Sequence, residues 1–241
     1  MNEQLLNLYA SKWDPLCAAM RPVLQDATLE VKPTCPLLMA IRDEEAFAAA
    51  DIRVMVFGQE TNSWYDEFHD GISTIIDQYD GFFNDGECWG YGGQFWNGIS
   101  RFIDLLQAQY PNKTIRLVWN NVVKIGKHND KGFPPDYIYE VEREHFAVIQ
   151  AELGIIKPTV VLFLTGPNYD SVITDNFGPL EYVEVPGSYN KRQIAKVLLP
   201  GVASAYRTYH PNYLWRNDIN GYFQAILEQI DVDISHTALK A

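Results

Sequence analysis

The chain has 241 residues, 47% of them hydrophobic, with 31 acidic against 19 basic side chains and a net charge of −12. That length, with no linker-like or low-complexity tract and no internal repeat, fits one large α/β domain over 1–241 better than two small ones. The acidity, taken whole, argues against a nucleic-acid binder, which usually shows a basic footprint. Cys17, Cys35 and Cys88 form no CxxC pair or Cys/His cluster. No structural metal and no cofactor is therefore expected.

Met1 to Leu6 lacks a basic start and an apolar run, so no secretory leader is predicted. No apolar stretch approaches a membrane span. The expectation is a soluble, cytoplasmic monomer.

Asn2 to Met20 places Leu5, Leu8, Tyr9, Trp13 and Leu16 near helical period, with Pro15 disturbing the end. Pro22, Pro33 and Pro36 mark a loop-rich stretch, so residues 1–50 or so read as an N-terminal helical extension. Ile52 to Phe57 is a buried strand ended by Gly58. Asp66 to Gly93 reads as a long irregular connection rich in glycine and aromatics, of the kind that is functional or mobile. Gln94 to Tyr110 is an amphipathic helix stopped by Pro111. Ile115 to Trp119 forms a second strand, and Tyr137 to Leu153 a helix with Gly154 past its end. Thr159 to Leu164 is a third strand, Gln193 to Leu199 an accessory one, Ser204 to Tyr209 the last core strand, and Tyr222 to Ile230 a closing helix. This alternation predicts a three-layer α/β/α fold around a central, mainly parallel four-stranded sheet. Ligands on such sheets bind at the carboxyl ends of the strands. Glu60, Asn120, Gly166 and His210 each follow a predicted strand.

Charge is unevenly spread. From Ser188 to Arg216 there is no Asp or Glu, whereas Lys191, Arg192, Lys196, Arg207 and Arg216 are present. Lys124, Lys127 and Lys131 follow Asn120. A locally positive crevice on an acidic protein is compatible with a phosphate-bearing ligand, and an ordinary solvated face is the competing explanation.

Four segments in order carry a resemblance. They are Gly58-Gln59-Glu60-Thr61-Asn62, Leu117-Val118-Trp119-Asn120-Asn121-Val122, Val160-Val161-Leu162-Phe163-Leu164-Thr165-Gly166 and His210-Pro211-Asn212-Tyr213-Leu214. Together they resemble the motifs of the uracil-DNA glycosylase superfamily, whose patterns are Gly-Gln-Asp-Pro-Tyr, Leu-Leu-Leu-Asn-Thr-Val, an apolar strand ending near glycine, and His-Pro-Ser-Pro-Leu. The resemblance implies that fold and hydrolysis of the N-glycosidic bond of a flipped uracil-like or damaged base in DNA, without a metal. It implies that Glu60 positions water and stabilises the cationic sugar, and that His210 hydrogen-bonds the departing base. It implies base contacts by Gln59, Asn62, Asn120 and Gly166, and a wedge at Leu214; separately, the acid-free basic stretch that leads into His210 and Leu214 predicts phosphate contacts by Lys191, Arg192, Arg207 and Arg216. The chain departs from the pattern in Glu60 for aspartate, Thr61 for proline, Asn62 for a tyrosine that blocks the thymine methyl, and Asn212-Tyr213 for Ser-Pro.

A lone His-Pro after a strand is more often structural than catalytic, and the ordered companions are what raise His210 above that. Asn120 and Asn121 could instead be turn residues. Trp89, Tyr91, Phe95 and Trp96 are candidates to stack on a base, although Phe95 and Trp96 fit packing of the following helix better. Two alternatives remain: a nucleobase- or nucleic-acid-binding protein of this fold that has lost the reaction, and a hydrolase of small nucleosides or nucleotides.

Overall fold

The computed structural model describes residues 1–238. Its centre is one six-stranded mixed sheet, in the order β2-β1-β3-β6-β5-β4. The strands are β1 (Ile52–Asn62), β2 (Ile115–Lys127), β3 (Val160–Phe163), β4 (Tyr182–Glu184), β5 (Ile194–Val197) and β6 (Ser204–Thr208). β1, β2, β3 and β6 run parallel, and β5 and β4 extend the sheet antiparallel from β6. The expected four-stranded sheet is thus the parallel part of a larger one. β4 escapes the hydrophobic pattern because it is short and largely exposed.

Helices cover both faces, as the alternation of elements requires. They are α1 (Asn2–Gln25), α2 (Glu44–Ala48), α3 (Ile72–Tyr79), α4 (Glu87–Tyr91), α5 (Gln94–Gln109), α6 (Asp136–His145), α7 (Ile149–Ile156), α8 (Asp170–Phe177), α9 (Pro211–Leu214) and α10 (Ile219–Ala238). α1 packs on α6 and α7, whereas α10 packs on α5 and β6. The central strands are buried almost end to end, with Val54 to Phe57 and Val160 to Phe163 fully inaccessible. Continuous Val/Phe/Leu runs suit such doubly covered parallel strands.

Several boundaries differ from expectation. α1 runs through Pro15 and Pro22 to Gln25. An interior proline costs a helix about 3 kcal/mol, and here the buried stripe Leu5, Tyr9, Trp13, Leu16, Met20 and Val23 opposes that cost. α1 is therefore built into the core rather than appended to it. Gly58 does not end β1, which continues through a register shift between Glu60 and Asn62. The Tyr137–Leu153 helix is two, because Phe146 leaves helical geometry and turns its ring against Tyr9 and Trp13. Asp66–Gly93 is not irregular throughout: it holds α3, a π-helical turn at Asp80–Asn84 and α4. Their apolar faces (Ile75, Tyr79, Phe83, Cys88) are too short to read as periodic.

β1 is the pivot of the topology. Its connection leads to β2 on one side, and the chain then returns past β1 to β3 on the other. Loops that leave neighbouring parallel strands in opposite directions open a crevice between them, and that is where such sheets bind ligands.

Candidate active site

A pocket of about 770 Å³ opens at these strand ends. From β1 it receives Gly58, Gln59, Glu60, Thr61 and Asn62; from β2, Trp119 and Asn121; from the turn after β6, His210 and Asn212. Phe82, Tyr91, Phe95 and Trp96 give it an aromatic wall, and Lys131 stands on its rim. Beyond Asn62 the rim is bent sharply: Ser63 and Tyr65 hold φ of 50° and 60°. Left-handed backbone at non-glycine residues is strained, and such strain concentrates at ligand sites.

His210 is seated by three contacts. Its ring stacks on Phe95, with centroids 5.5 Å apart and planes 16° apart. Pro211 lies against Gly98 so closely that a Cβ there would meet the proline ring at 2.5 Å. His210 also caps α9: its Nδ1 accepts the Asn212 backbone N–H at 3.1 Å. A backbone N–H can only donate, so the neutral ring must carry its proton on Nε2. Burial pushes the imidazole down to about 4. At neutral pH, His210 is an uncharged N–H donor at the pocket.

Glu60 is half-buried, and its carboxylate accepts a hydrogen bond from the Tyr169 hydroxyl. Burial raises its carboxyl above the ordinary range, while the Tyr169 bond and the Lys127 charge pull the other way. Tyr169 lies in a short 3-10 turn, Pro167–Tyr169, that follows the positive-φ Gly166. Sequence reasoning missed Tyr169, since no motif or period singles it out. Gln59 bridges two strand ends, its Nε2 donating to the Thr165 carbonyl at 2.8 Å.

Asn121, and not Asn120, faces the pocket. Both lie in β2, not in a turn, and neighbouring strand residues point to opposite faces. Asn120 is fully buried on the far side: its Nδ2 donates to Glu152 at 2.8 Å and its Oδ1 accepts from Lys124 Nζ at 2.7 Å. Lys124 pairs with Glu152 at 2.8 Å, and Tyr9 donates to the same carboxylate at 2.7 Å. Glu142 accepts the backbone N–H groups of Lys124 and Ile125, and burial pushes its carboxyl up to about 7. Asn120 and Lys124 therefore belong to a closed internal network that ties α1 to β2, α6 and α7.

Two further assignments are corrected by burial. Leu214 is wholly inaccessible and packs in the core, so it is not a wedge; Tyr213 and Trp215 beside it are the exposed apolar residues of that turn. Arg207 is buried against Asp170, with Nε–Oδ1 at 2.9 Å and Nη2–Oδ2 at 3.1 Å. It also donates to the carbonyls of Arg192 and Lys191, and so holds their loop rather than reaching solvent. Lys191, Arg192 and Arg216 are exposed. Arg216 donates to the Asn212 carbonyl, which brings it beside the pocket. Gly166, at φ 78°, lies beyond the end of β3 and donates its N–H to the Thr208 carbonyl; it shapes the turn to Tyr169 and does not line the pocket.

Trp64 and Trp119 pack edge to face in the pocket wall, with centroids 5.4 Å apart. The Trp64 indole Nε1 is the buried side-chain nitrogen that lacks a hydrogen-bond partner among the described residues. Among those residues no group of His, Cys, Asp and Glu is arranged to hold a metal ion, and no helix is long and apolar enough to cross a membrane. No protein-family model matches the chain, and no curated protein matches it closely enough to name a relative.

Proposed function

We propose that the chain hydrolyses the N-glycosidic bond of an extruded base in DNA, in the manner of uracil-DNA glycosylases. The observation that carries this reading is the convergence of Glu60 with a neutral, Nε2-protonated His210 in one aromatic-walled pocket. Cleaving that bond builds positive charge on the sugar and negative charge on the leaving base. Groups that bind those charges more tightly as they develop lower the barrier.

Glu60 supplies the negative charge and a place for the attacking water. His210 supplies a fixed donor to a base oxygen that becomes anionic, and as a neutral imidazole it offers its Nε2–H as a hydrogen bond without handing the proton over. The rings of Phe82, Tyr91 and Phe95 provide faces and edges for a planar ligand. Lys191, Arg192 and Arg216 supply cations for phosphates beside an otherwise acidic molecule. Asn121 takes the base-reading role in place of Asn120.

The test is incubation of the protein with oligonucleotides that each carry one uracil, hypoxanthine or oxidised base, followed by strand scission at abasic sites. Scission at one or more of these positions supports the reading. Absence of scission from every substrate, with oligonucleotide binding retained, favours a binding protein of the same fold. Turnover of free nucleosides without affinity for DNA favours the small-molecule hydrolase.

A further inference from the structure

Asn121 is 97% buried, yet only one end of its amide is committed. Its Oδ1 accepts from the Trp119 indole Nε1 at 3.2 Å. The same oxygen faces Gly58, where an added Cβ would come within 2.4 Å of it. Indole N–H is a donor only, so the amide must turn its oxygen toward Trp119. The Nδ2 amino group makes no hydrogen bond within the described residues and, unlike the Trp64 indole nitrogen, is not sealed from solvent, so it is the end left to the pocket that Asn121 lines.

Trp119 itself has no freedom to release this arrangement. Its ring lies parallel to Tyr79 at 5.9 Å and edge-on to Trp96 at 4.8 Å and Trp64 at 5.4 Å. The Tyr79 hydroxyl donates to the Trp119 carbonyl at 2.8 Å, which fixes the backbone as well. An unlocked carboxamide can present either its donor or its acceptor to a ligand. A locked one presents a single polarity.

We propose that Trp119 is a specificity-determining positioning residue: it locks the Asn121 amide so that the site takes a ring with a carbonyl at the facing edge and refuses one with an amino group there. The inference rests on the nucleobase reading of this pocket. An amino group brought against Nδ2 sets donor against donor and leaves both unpaired in a buried place. Such a mismatch weakens binding by about tenfold to a hundredfold.

The test uses two matched pairs of free bases, uracil with cytosine and hypoxanthine with adenine, titrated against the protein by ligand-detected NMR. Each pair exchanges one carbonyl for one amino group and, with it, the neighbouring ring N–H for a bare ring nitrogen, so the change of the ratio in the variant carries the test. The parent protein is expected to prefer the carbonyl member of each pair by about tenfold or more. In Trp119→Phe the amide is free to rotate, and the preference should shrink to within about threefold. A merely structural role would weaken both members equally and leave the ratio unchanged, which overturns the inference. If circular dichroism shows Trp119→Phe unfolded, the isosteric 3-benzothienylalanine placed at position 119 removes the N–H alone and decides the point. Equal affinity of the parent for both members also overturns the inference, while the nucleobase reading stands. Binding of none of the four bases sinks both.

Discussion

At the scale of single residues, the two ends of the proposed reaction separate by protonation. His210 stays neutral down to about pH 4 because burial disfavours its charged form. Glu60 loses its negative charge on acidification at a pH above the ordinary carboxylate range. As pH falls, Glu60 therefore protonates first, and the acid limb of a pH–rate profile should be its own. Single-turnover excision measured across pH should lose that limb in Glu60→Gln and keep it, at lower rate, in His210→Ala. A limb that persists in Glu60→Gln assigns it to another group. The same shift has a stability consequence. Between about pH 6.5 and 4 the unfolded chain protonates this histidine and the folded one does not, so acidification through that window removes stability, and His210→Phe should lessen the loss. Gly58 is a third residue-scale prediction. An added Cβ would meet Asn121 Oδ1 at 2.4 Å and Phe95 at 2.9 Å. Gly58→Ala should leave a folded protein whose base affinity falls by about tenfold or more as the amide is displaced, read by the same NMR titrations.

At the scale of elements, β2 shows best what was legible and what was not. Its apolar start, Ile115 to Trp119, announced a strand, but its polar continuation Asn120-Asn121 looked like a turn. In fact the strand carries both asparagines, one into the buried network and one into the pocket. A one-residue change of parity decides which amide lines the pocket, and motif alignment does not resolve parity. The network that holds Asn120 was invisible for a related reason: Tyr9, Asn120, Lys124, Glu142 and Glu152 come together only through tertiary packing. Its energetics can be checked. Glu152→Met leaves the buried Lys124 ammonium without its counter-ion and should destabilise the fold by about 3–5 kcal/mol. Adding Lys124→Met should restore much of that, because two apolar side chains need no partner. Urea unfolding of the parent, both single variants and the double variant gives the coupling; simple additivity would mean that the two groups do not act as a pair.

At the scale of the whole molecule, the parallel strands and the placement of Glu60 and His210 near their ends were readable from hydrophobic runs that stop in polar residues, whereas the order of the strands in the sheet was not. Burial could not be read either. Arg207 and Leu214 sit in segments whose neighbours are exposed, and only the packed structure separates Arg207 from Lys191 and Arg192, or Leu214 from Tyr213. The molecule's net charge of −12 makes the remaining exposed cations matter to the proposed reading, since long-range repulsion opposes the approach of a polyanion such as DNA. Lys191→Glu with Arg216→Glu should weaken oligonucleotide binding and lower its salt slope by about two. Arg207→Glu should act differently, lowering the melting temperature through loss of the Asp170 pair. Unchanged affinity and slope in the double variant would reduce the patch to a solvated face.

The most direct test of the central claim is chromatographic detection of free base released from a uracil- or hypoxanthine-bearing oligonucleotide under single-turnover conditions. The account predicts release by the parent protein, slowed by about two to three orders of magnitude in folded His210→Ala. Release that is equally fast in His210→Ala, or no release from any substrate by the parent, would contradict it.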